Sequence, residues 1–463
     1  MINYYYIIIK MRSLFIFRRD YRLDDNTGLL ECHQNSDEVI PIFIFTPEQI
    51  KTNEYKSNNC VQFLCESLQD LRKQIKNKGG ELYIFEGDVI TTLKKIIQNE
   101  KVDKVVFNMD YTPYSTQRDS EILKLCKALK IECEIYEDIT LFPIGSMKTS
   151  GGKVYSKFTP YLNRARKVDV EKPKKHDFTN FGKLISKIKT VKGSLTRFHD
   201  NIVNPNLVEK GGREEGLKKI NKIKKYDNYD DKRNCLSYET TRLSAFNKFG
   251  CISIREVYHK IKSEIGEDSD IIRQLIWRDF FYNLSYFYPK IYGEPLASKY
   301  KNIKWKNNKA DFEKWKKGET GFLIVDACMK EINTTGYMHN RGRLIAGNFL
   351  VRLLVIDWRW GEKYFAQTLY DYDPTQNNFG WQINASVSGT EARPPSQNIL
   401  NPWLQSKRFD PEGEYIKKWL PELREVNGKD FYLWYKKREN YQVNYPEPMV
   451  NYEERRKEVL KMY

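Results

Sequence analysis

Three hydroxyl side chains stand close together at Thr240, Thr241 and Ser244, directly before a segment with helical spacing. A hydroxyl at such a place often accepts a hydrogen bond from the first free backbone N–H groups of the helix. The same hydroxyls and free N–H groups also suit the pyrophosphate of a nucleotide. The cluster therefore has two interpretations from the residues alone, a helix cap and an anion site.

A second set of polar and aromatic side chains shares one face of the helix predicted over Asp270–Phe287. Gln274, Trp277 and Phe281 occupy positions i, i+3 and i+7, so they lie along the same side of the helix. Arg278 is adjacent and lies four residues after Gln274. This face therefore presents a carboxamide next to an indole ring, with a guanidinium nearby.

Two architectures must position these residues, and the first is a sheet. Residues 13–140 alternate short apolar runs with helical patterns, which predicts a doubly wound parallel sheet, an α/β domain with helices on both faces. The glycine-rich phosphate loops usual in such sheets do not follow the first strand. The predicted strands are Ser13–Phe17, Val39–Phe45, Glu81–Glu86, Lys104–Asp110 and Ile131–Glu137, and the predicted helices are Val61–Lys76, Val89–Gln98 and Gln117–Leu129.

The second architecture is helical, because helical spacing dominates from Thr240 onward. A chain of 463 residues also exceeds the size at which one core stops growing, about 250–300 residues. We therefore predict an α/β domain over 1–140, a Lys-rich linker over 141–235 and an all-α domain over 236–463. The predicted helices are Leu217–Lys225 in the linker and Ser253–Ile265, Asp270–Phe287, Arg341–Ile356 and Glu362–Leu369 after it.

Charge and cysteine content narrow the class of protein. The net charge of +17 favours a polyanionic partner such as nucleic acid, and the alternative is a composition bias, since Lys, Asn, Ile and Tyr are abundant throughout. Eight scattered cysteines without a CxxC pair fit a reduced intracellular protein and argue against a zinc site or a cysteine-ligated iron–sulfur cluster. The longest apolar start is too short for a membrane span, so we expect no membrane segment and no metal.

A series of short strings, in one order along the chain, resembles the photolyase/cryptochrome family. Each string is weak alone, and their joint order over nearly the whole chain makes the resemblance specific. It implies an α/β domain followed by a helical domain that holds FAD, and light-driven electron transfer to a lesion in UV-damaged DNA. The strings are Arg18–Asn26, Thr240–Ser244, Gln274–Asp279, Gly318–Gly321, Val325–Met329, Met338–Arg343, Asp371–Trp381 and Phe409–Tyr415.

The resemblance places the cofactor in the helical half. It implies that Arg343 and Asp371 form a buried ion pair beside the flavin ring, and that Asn377 faces the flavin N5. Asparagine there is typical of repair enzymes, whereas signalling relatives often have Asp or Cys. Asp373 would contact the ribose or the adenine. The other implied FAD contacts are Tyr229, Thr240, Thr241, Arg242, Leu243, Ser244, Gln274, Arg278 and Asn340.

Three tryptophans match the electron-hopping triad of the family. From the flavin to the surface they are Trp381, Trp358 and Trp305, and the implied function is photoreduction of oxidised FAD. Taken alone, a tryptophan is most often part of a core. We expect the remaining candidates Trp315 and Trp360 to be structural.

The resemblance also places the lesion against the face that carries Gln274. The indole of Trp277 would stack on a base pulled from the helix, and the Gln274 amide would read the pyrimidine edge. Arg341 would contact the DNA backbone. The further residues implied in the pocket are Asn340, Leu344 and Ile383.

Three positions depart from enzymes that repair cyclobutane pyrimidine dimers. Gln274 replaces a Glu, Ile383 replaces a Trp, and Leu344 stands where Met is frequent. Gln at 274 is typical of (6-4) photolyases, but that branch moves protons with a histidine pair. Asn340 and Leu344 occupy both histidine positions. We therefore favour dimer repair, with a (6-4) photolyase and a blue-light-sensing cryptochrome as alternatives.

Two questions stay open at this stage. An antenna chromophore could lie between the domains, because Asn108 and Asp110 are in the matching string. Met109 stands where folate-binding members have an acidic residue, so the identity of that chromophore is not determined. From a different functional class, a basic nucleotide-binding protein without FAD is the remaining alternative. For either class we expect a monomer.

Overall fold

The computed structural model describes residues 10–390 and 398–461 and begins with one sheet of five parallel strands. The strand order is β3-β2-β1-β4-β5, with every neighbouring pair parallel. The predicted strands are confirmed, with ends that differ by at most two residues. The strands are β1 Arg12–Ile16, β2 Glu38–Phe45, β3 Tyr83–Glu86, β4 Lys104–Asn108 and β5 Glu132–Tyr136.

Helices connect these strands and cover both faces of the sheet. Strands β2 and β3 are added on one side of β1, and β4 and β5 on the other. The switch point of the sheet therefore lies between β1 and β4. A doubly wound sheet forms a crevice at the carboxyl ends of the strands at such a switch. The helices here are α1 Thr27–Gln34, α2 Pro47–Ile50, α3 Asn58–Asn77, α4 Val89–Glu100 and α5 Pro113–Leu129.

The remaining elements are helical, and no named strand follows β5 in the residues that the structure describes. This confirms the predicted fold class, a parallel α/β part followed by an all-α part. The helices are α6 Phe158–Ala165, α7 Arg213–Ile220, α8 Tyr229–Lys232, α9 Ser244–Lys248, α10 Ile254–Glu264, α11 Asp270–Phe287, α12 Lys309–Lys317, α13 Leu323–Thr335, α14 Asn340–Asn348, α15 Trp358–Thr368, α16 Pro374–Asn384, α17 Pro402–Phe409, α18 Glu414–Trp419, α19 Trp434–Lys437 and α20 Tyr452–Leu460.

Two predicted helices were wrong in extent. The one expected over Arg341–Ile356 ends at Asn348 and continues as a π-helical turn, Phe349–Leu353. Val355 then adopts a φ of 56°, a left-handed conformation that stops any helix.

The basic helix expected over Leu217–Lys225 is also different. Helix α7 ends at Ile220, and a 3-10 turn, Ile223–Tyr226, follows it. The buried side chains Ile220, Ile223 and Tyr226 are spaced by three, the period of a 3-10 turn.

One apolar core joins the sheet to the helical part. One face of the sheet, with Phe15 and Phe43, packs in the same cluster as Phe246 of α9 and Phe280 of α11. The opposite face packs against α4 and α5, and the helices from α12 onward form another core. All three predicted segments contribute to the first core, and the boundaries near residues 140 and 235 stay a prediction.

A buried ionic cluster fastens α10 to the sheet. Arg255 donates to Asp25 at 2.8 Å and to Asp138 at 3.0 Å, and Arg22 donates to Asp138 at 2.7 Å. Burial alone would raise the pKa of Asp138, but the two guanidinium groups lower it well below its usual range. Because an unpaired charge here would cost about 3–5 kcal/mol, the cluster holds the two parts in one orientation.

Membrane, metal and disulfide features were searched in the same described ranges. No helix among them is long and apolar enough to cross a bilayer. They also contain no group of three His, Cys, Asp or Glu side chains placed to hold a metal ion. All eight cysteines are free thiols.

Candidate active site

An ion pair between α14 and the segment before α16 lies at the centre of the site. Arg343 Nη2 donates to both oxygens of Asp371, at 3.0 and 2.9 Å, and Ser244 Oγ donates to Asp371 Oδ2 at 2.7 Å. The Asp371 side chain is only 2% exposed. Burial alone would lower the pKa of Arg343, but the Asp371 carboxylate outweighs it and raises that pKa. The structure thus brings the predicted pair together.

The hydroxyl cluster does not cap a helix. Leu243, which is buried, occupies the N-cap of α9 and makes no side-chain cap bond, so the capping interpretation was wrong. Thr240 Oγ1 lies 3.3 Å from the hydroxyl of Tyr337. Arg242 takes a φ of 50°, which turns the chain sharply just before Ser244. The half-buried predicted FAD contacts near this turn are Tyr229, Thr240, Thr241 and Arg242.

One face of α16 is open beside the ion pair. Asn377, Gly380 and Ile383 are spaced by three residues, so they share that face. A Cβ added at Gly380 would meet no atom within 4 Å. Asn377 Nδ2 donates to the backbone oxygen of Glu362 at 2.9 Å, and among the described residues Trp381 Nε1 is buried without a hydrogen-bond partner. The open space at Gly380 leaves room on this face of α16 for a ligand such as a flavin.

Asp373 is engaged by protein groups on both oxygens. Its Oδ1 caps α16 by accepting from the backbone N–H groups of Thr375 and Gln376, at 3.0 and 3.2 Å. Its Oδ2 accepts from Arg19 at 2.6 Å and from the hydroxyl of Tyr282. The predicted contact of Asp373 with ribose or adenine stays a prediction.

On α11, the amide of Gln274 is free and the indole of Trp277 is partly covered. The side chain of Gln274 is half-buried and makes no hydrogen bond to any residue within 10–390 or 398–461. Trp277 stacks on Phe158 of α6, with ring centroids 3.5 Å apart and planes 10° apart. The Phe281 ring lies 5.2 Å from Trp277 and stacks on Phe379 at 4.6 Å. Sequence reasoning missed Phe158, because it lies in the irregular linker segment and carries no motif.

The Arg278 side chain is buried and donates to two backbone carbonyl oxygens, one after β5 and one in α9. It donates to the carbonyl oxygen of Ile139 at 2.5 Å and to that of Asn247 at 3.3 Å. Its guanidinium carbon lies 4.8 Å from the ring centre of Tyr282. Its contact with FAD therefore stays a prediction, while its contacts here join α11 to the chain after β5.

His339 begins α14 and is held neutral. Its Nδ1 accepts from the backbone N–H of Arg341 at 3.1 Å, and its Nε2 is buried with no partner in the part of the chain that the structure describes. Burial and, to a lesser degree, the charges of nearby arginines together lower the pKa of His339 to about 4. Asn340 is exposed and Leu344 is half-buried, four residues apart on α14.

Arginines converge near the start of α14. Arg341 Nη2 donates to Asn234 at 2.5 Å, and its guanidinium carbon lies 4.3 Å from the ring centre of Phe409. Burial lowers the pKa of Arg341, and the charges of Arg233 and Arg408 also lower it. Cations that repel one another in this way are placed to bind an anion such as a phosphate.

The predicted tryptophan triad runs from the core towards the surface. Trp381 and Trp358 are 1% and 2% exposed, and Trp305 is half-buried. Helix α15 passes directly over Trp381, because a Cβ added at Gly361 would lie 2.1 Å from Trp381 Cη2. Only glycine fits at that crossing, and electron hopping along the triad stays a prediction.

Trp381 has an aromatic neighbour that the sequence did not reveal. Among the described residues its ring pairs are with Phe365 at 4.9 Å and with Trp315 at 6.2 Å. Trp358 and Trp305 form no such ring pair with Trp381 in that part of the chain. Trp315, expected to be structural, is therefore in contact with the predicted electron donor.

A separate cavity of about 630 Å³ lies at the switch between β1 and β4. Arg19 Nη1 donates to Asp110 Oδ1 at 2.9 Å in its wall. Asn108, predicted beside it, instead donates to Asp20 at 2.6 Å and to Asn26 at 2.7 Å, inside the α/β part. The cavity is lined by Arg19, Asp110, Tyr114, Lys248, Glu362 and Tyr372, among others.

Comparison with known proteins agrees with this arrangement. The family model described as the FAD binding domain of DNA photolyase matches residues 271–463, and the DNA photolyase model matches residues 13–177. The deoxyribodipyrimidine photo-lyase of Escherichia coli (strain K12) is 32% identical, over 96% of this chain and 97% of its own length.

Solved structures extend the similarity to three dimensions. An archaeal photolyase from Sulfolobus tokodaii, described with two FAD molecules and a novel light-harvesting cofactor, is 38% identical with a TM-score of 0.86, over 98% of this chain and 99% of its own. A bacterial class III photolyase from Agrobacterium tumefaciens is 26% identical with a TM-score of 0.89, over 98% and 97%. The chain belongs to the DNA photolyase family.

Proposed function

We propose that this chain binds FAD and repairs UV-damaged DNA in blue light by splitting cyclobutane pyrimidine dimers. The observation that carries the proposal is the 32% identity, over 96% of the chain, to a protein named deoxyribodipyrimidine photo-lyase. The arrangement of Arg343, Asp371, Asn377 and Gln274 described above supports the proposal. We propose further that the protein acts as a monomer inside the cell.

The residues on α14 and α16 would hold the cofactor. Arg343 offers a positive charge that stabilises a reduced flavin ring, and Asp371 fixes the position of that guanidinium. Asn377 would present its amide to the ring, since its Nδ2 is already anchored on Glu362. When bound, reduced FAD supplies the light-excited electron that splits the dimer.

Two groups of side chains would hold the DNA. The free amide of Gln274 offers two donors and one acceptor to the polar edge of a flipped pyrimidine, beside the half-buried indole of Trp277. The three arginines Arg233, Arg341 and Arg408 would contact the phosphates, because a bound anion relieves their mutual repulsion.

The state of His339 favours the dimer over the (6-4) photoproduct. A (6-4) photolyase needs a protonated histidine in its pocket, and burial keeps the pKa of His339 at about 4. Asn340 and Leu344 on the same helix cannot transfer protons at neutral pH. Dimer splitting needs only electron transfer from the flavin, which this site can provide. Repair of the (6-4) photoproduct also needs a proton donor, and these residues do not supply one.

Reduced protein and defined oligonucleotides test this proposal. Under blue light we expect repair of a cyclobutane thymine dimer and no change in a (6-4) photoproduct, with a dark sample as control. Gln274→Glu should keep or raise dimer repair. Gln274→Leu, which has a similar size but no hydrogen bonds, should weaken lesion binding by about 1–3 kcal/mol.

Three outcomes would contradict the proposal in different ways. Repair of the (6-4) photoproduct alone would reverse the substrate assignment. Light-dependent binding of a partner without repair of either lesion would make the protein a cryptochrome. A colourless purified protein that gains no flavin spectrum with added FAD would leave only the basic nucleotide-binding alternative.

Photoreduction gives an independent test of the site. If Trp381 is the donor next to FAD, Trp381→Phe should strongly slow light-driven reduction of bound oxidised FAD. Repair by chemically reduced protein should be nearly unchanged, because that reaction does not need the donor. Normal photoreduction in Trp381→Phe would remove Trp381 from the assignment.

A second proposal concerns the cavity between β1, β4 and the helical part, which would hold a light-harvesting chromophore. It lies where a doubly wound sheet binds ligands, and its 630 Å³ falls within the size range of ligand pockets, about 300–1,000 Å³. The Lys248 ammonium in its wall lies over the rings of Phe249 and Tyr372. The Sulfolobus tokodaii relative is described with two FAD molecules and with the implication of a novel light-harvesting cofactor, which makes flavin the first chromophore to test.

Flavin stoichiometry tests the second proposal. Protein saturated with FAD should carry two flavins per chain, and light absorbed by one should drive reduction of the other. Tyr372→Leu should release the cavity flavin and retain the one in the helical part. A single flavin per chain after saturation, with no binding of a folate or deazaflavin either, would refute a chromophore in this cavity.

A further inference from the structure

A second row of oxidisable rings leads away from Trp381, on a path that includes neither Trp358 nor Trp305. The Trp381 and Trp315 ring centroids are 6.2 Å apart with planes at 74°. The Trp315 and Tyr364 centroids are 5.7 Å apart with planes at 64°. Three side chains that can lose an electron are thus in consecutive contact.

This row runs from the core to the surface. Trp381 is 1% exposed and Trp315 is fully buried, whereas Tyr364 is half-buried. The Tyr364 hydroxyl donates to Oδ1 of Asn333 at 2.6 Å, and Asn333 is exposed. The outermost ring of the row therefore reaches water through its oxygen.

Hydrogen bonding favours movement of positive charge outward. Trp315 Nε1 donates to the carbonyl oxygen of Ala346 at 3.0 Å, whereas Trp381 Nε1 has no partner in the described protein. The negative end of a carbonyl dipole stabilises an indole that has lost an electron, more so in a dry interior. Phe365 and Phe312, which are much harder to oxidise, pack beside the Trp315 ring, at 6.1 and 5.7 Å, and exclude water.

Tyr364, the last ring of the row, can remain oxidised only by releasing its phenolic proton. The Lys316 ammonium lies 5.6 Å from the Tyr364 ring centre, which disfavours a second positive charge on that ring. An oxidised phenol loses its proton readily, and the hydroxyl of Tyr364 faces an exposed amide and water. A neutral tyrosyl radical is therefore the product expected at this end.

We propose that Trp315 and Tyr364 form a second electron-relay branch from Trp381 to the surface. This rests on the proposed function, in which Trp381 gives one electron to light-excited oxidised FAD. Trp315 then gives one electron to the Trp381 radical cation, and Tyr364 gives one electron to Trp315 and its phenolic proton to water. The balance is one electron delivered to FAD, one proton released and one neutral radical on Tyr364, which an added thiol reduces.

The test uses full-length protein with bound FAD, in a Trp358→Phe background that closes the other predicted route. Flash photolysis follows the radicals, and electron paramagnetic resonance identifies them as tryptophanyl or tyrosyl. We expect Trp358→Phe alone to form a tyrosyl radical and to retain photoreduction. Adding Tyr364→Phe should remove the tyrosyl signal, and adding Trp315→Phe should remove both that signal and the photoreduction.

Trp360→Phe in the same background is the matched control. Trp360 is half-buried on the same helix as Tyr364, but its ring contacts Phe312 and not Trp315. The tyrosyl signal should therefore be unchanged in this variant. A signal that survives Tyr364→Phe, or photoreduction that survives Trp315→Phe, would overturn the branch.

Failure of the branch and failure of the proposed function give different results. Photoreduction that persists in Trp381→Phe would refute the donor assignment itself, whichever branch is open. Loss of photoreduction in Trp381→Phe and also in Trp358→Phe would refute only the branch. Because Trp315 is buried, flavin content and circular dichroism are measured first, and Tyr364→Phe decides alone if Trp315→Phe does not fold.

Discussion

The site in the helical part and the cavity at the sheet edge are assembled in opposite ways. In the helical site the central ion pair joins Arg343 to Asp371, 28 residues apart, in two consecutive strings. In the cavity, Arg19 joins Asp110 and Asp373, which lie 91 and 354 residues away. These residues also lie in recognisable strings, but only the fold brings strings so far apart together at the topological switch.

The two sites are also connected. Glu362 on α15 lines the cavity, its backbone oxygen accepts from Asn377, and its carboxylate accepts from Asn378 at 2.9 Å. Arg19 likewise contacts both the cavity wall and the residue that caps α16. Substitutions at these shared positions therefore show how far the two sites are independent.

The largest effect is expected for Arg19→Met, which removes the link. Asp110 is half-buried and Asp373 is buried, and both would lose the guanidinium that holds the pKa of each below its usual range against burial. Breaking such a pair costs about 3–5 kcal/mol in the free energy of unfolding. Urea denaturation at pH 7 measures it, with Arg166→Met as control, because Arg166 and its partner Asp268 are both exposed. For that surface pair less than about 1 kcal/mol is expected. A loss that small for Arg19→Met would show that the link is not stabilising.

Glu362→Gln tests the helix shared by the two sites, α15, through the pH dependence of the free energy of unfolding. Burial raises the pKa of Glu362 to about 7, although the bond from Asn378 opposes it. The native state therefore keeps a proton on Glu362 that the unfolded chain loses above pH 4.5, so the contribution of this group to wild-type stability falls between pH 4.5 and 7 and is then level. Glutamine removes this loss, and the variant should gain up to about 3 kcal/mol over wild type at pH 8. A stability difference that does not change with pH would contradict the raised pKa.

Asp371→Asn should separate the two sites. It leaves the Arg343 guanidinium without its carboxylate, and we expect FAD in the helical part to bind about 100-fold more weakly. Asp110→Asn, the matched change in the cavity wall, should leave that affinity nearly unchanged. Fluorescence titration with FAD measures both. Equal losses in the two variants would mean that the sites are a single unit.

The smallest effect is expected for Arg341→Ala, which acts on neither site directly. Affinity for damaged duplex DNA should decrease less steeply as salt rises, by about one phosphate contact, or about 0.9 in the log–log slope. Arg359→Ala, an exposed arginine on α15, is the control and should leave the slope unchanged. An unchanged slope for Arg341→Ala would mean that this side chain does not contact the backbone of DNA.

Regular elements were predicted well, and irregular ones were not. Strand and helix patterns in residues 13–140 carry their period in the sequence, and all five strands were found. The turn at Val355 and the 3-10 turn at Ile223–Tyr226 were missed, because tertiary packing selects them against local preference. The same holds for Leu243, which takes the N-cap of α9 although three hydroxyl residues stand beside it.

The order of the strings determined the family, the cofactor and the ion pair, because residues that serve one ligand keep their types and their order along the chain. Only the tertiary structure decided which rings touch. Phe158 covers Trp277, and Trp315 rather than Trp358 forms the ring pair with Trp381 in the described chain. These contacts join elements that are distant in sequence and meet through helix crossings such as that at Gly361. Periodicity reports which face of a helix is buried, but it does not report which side chain of another helix packs against that face.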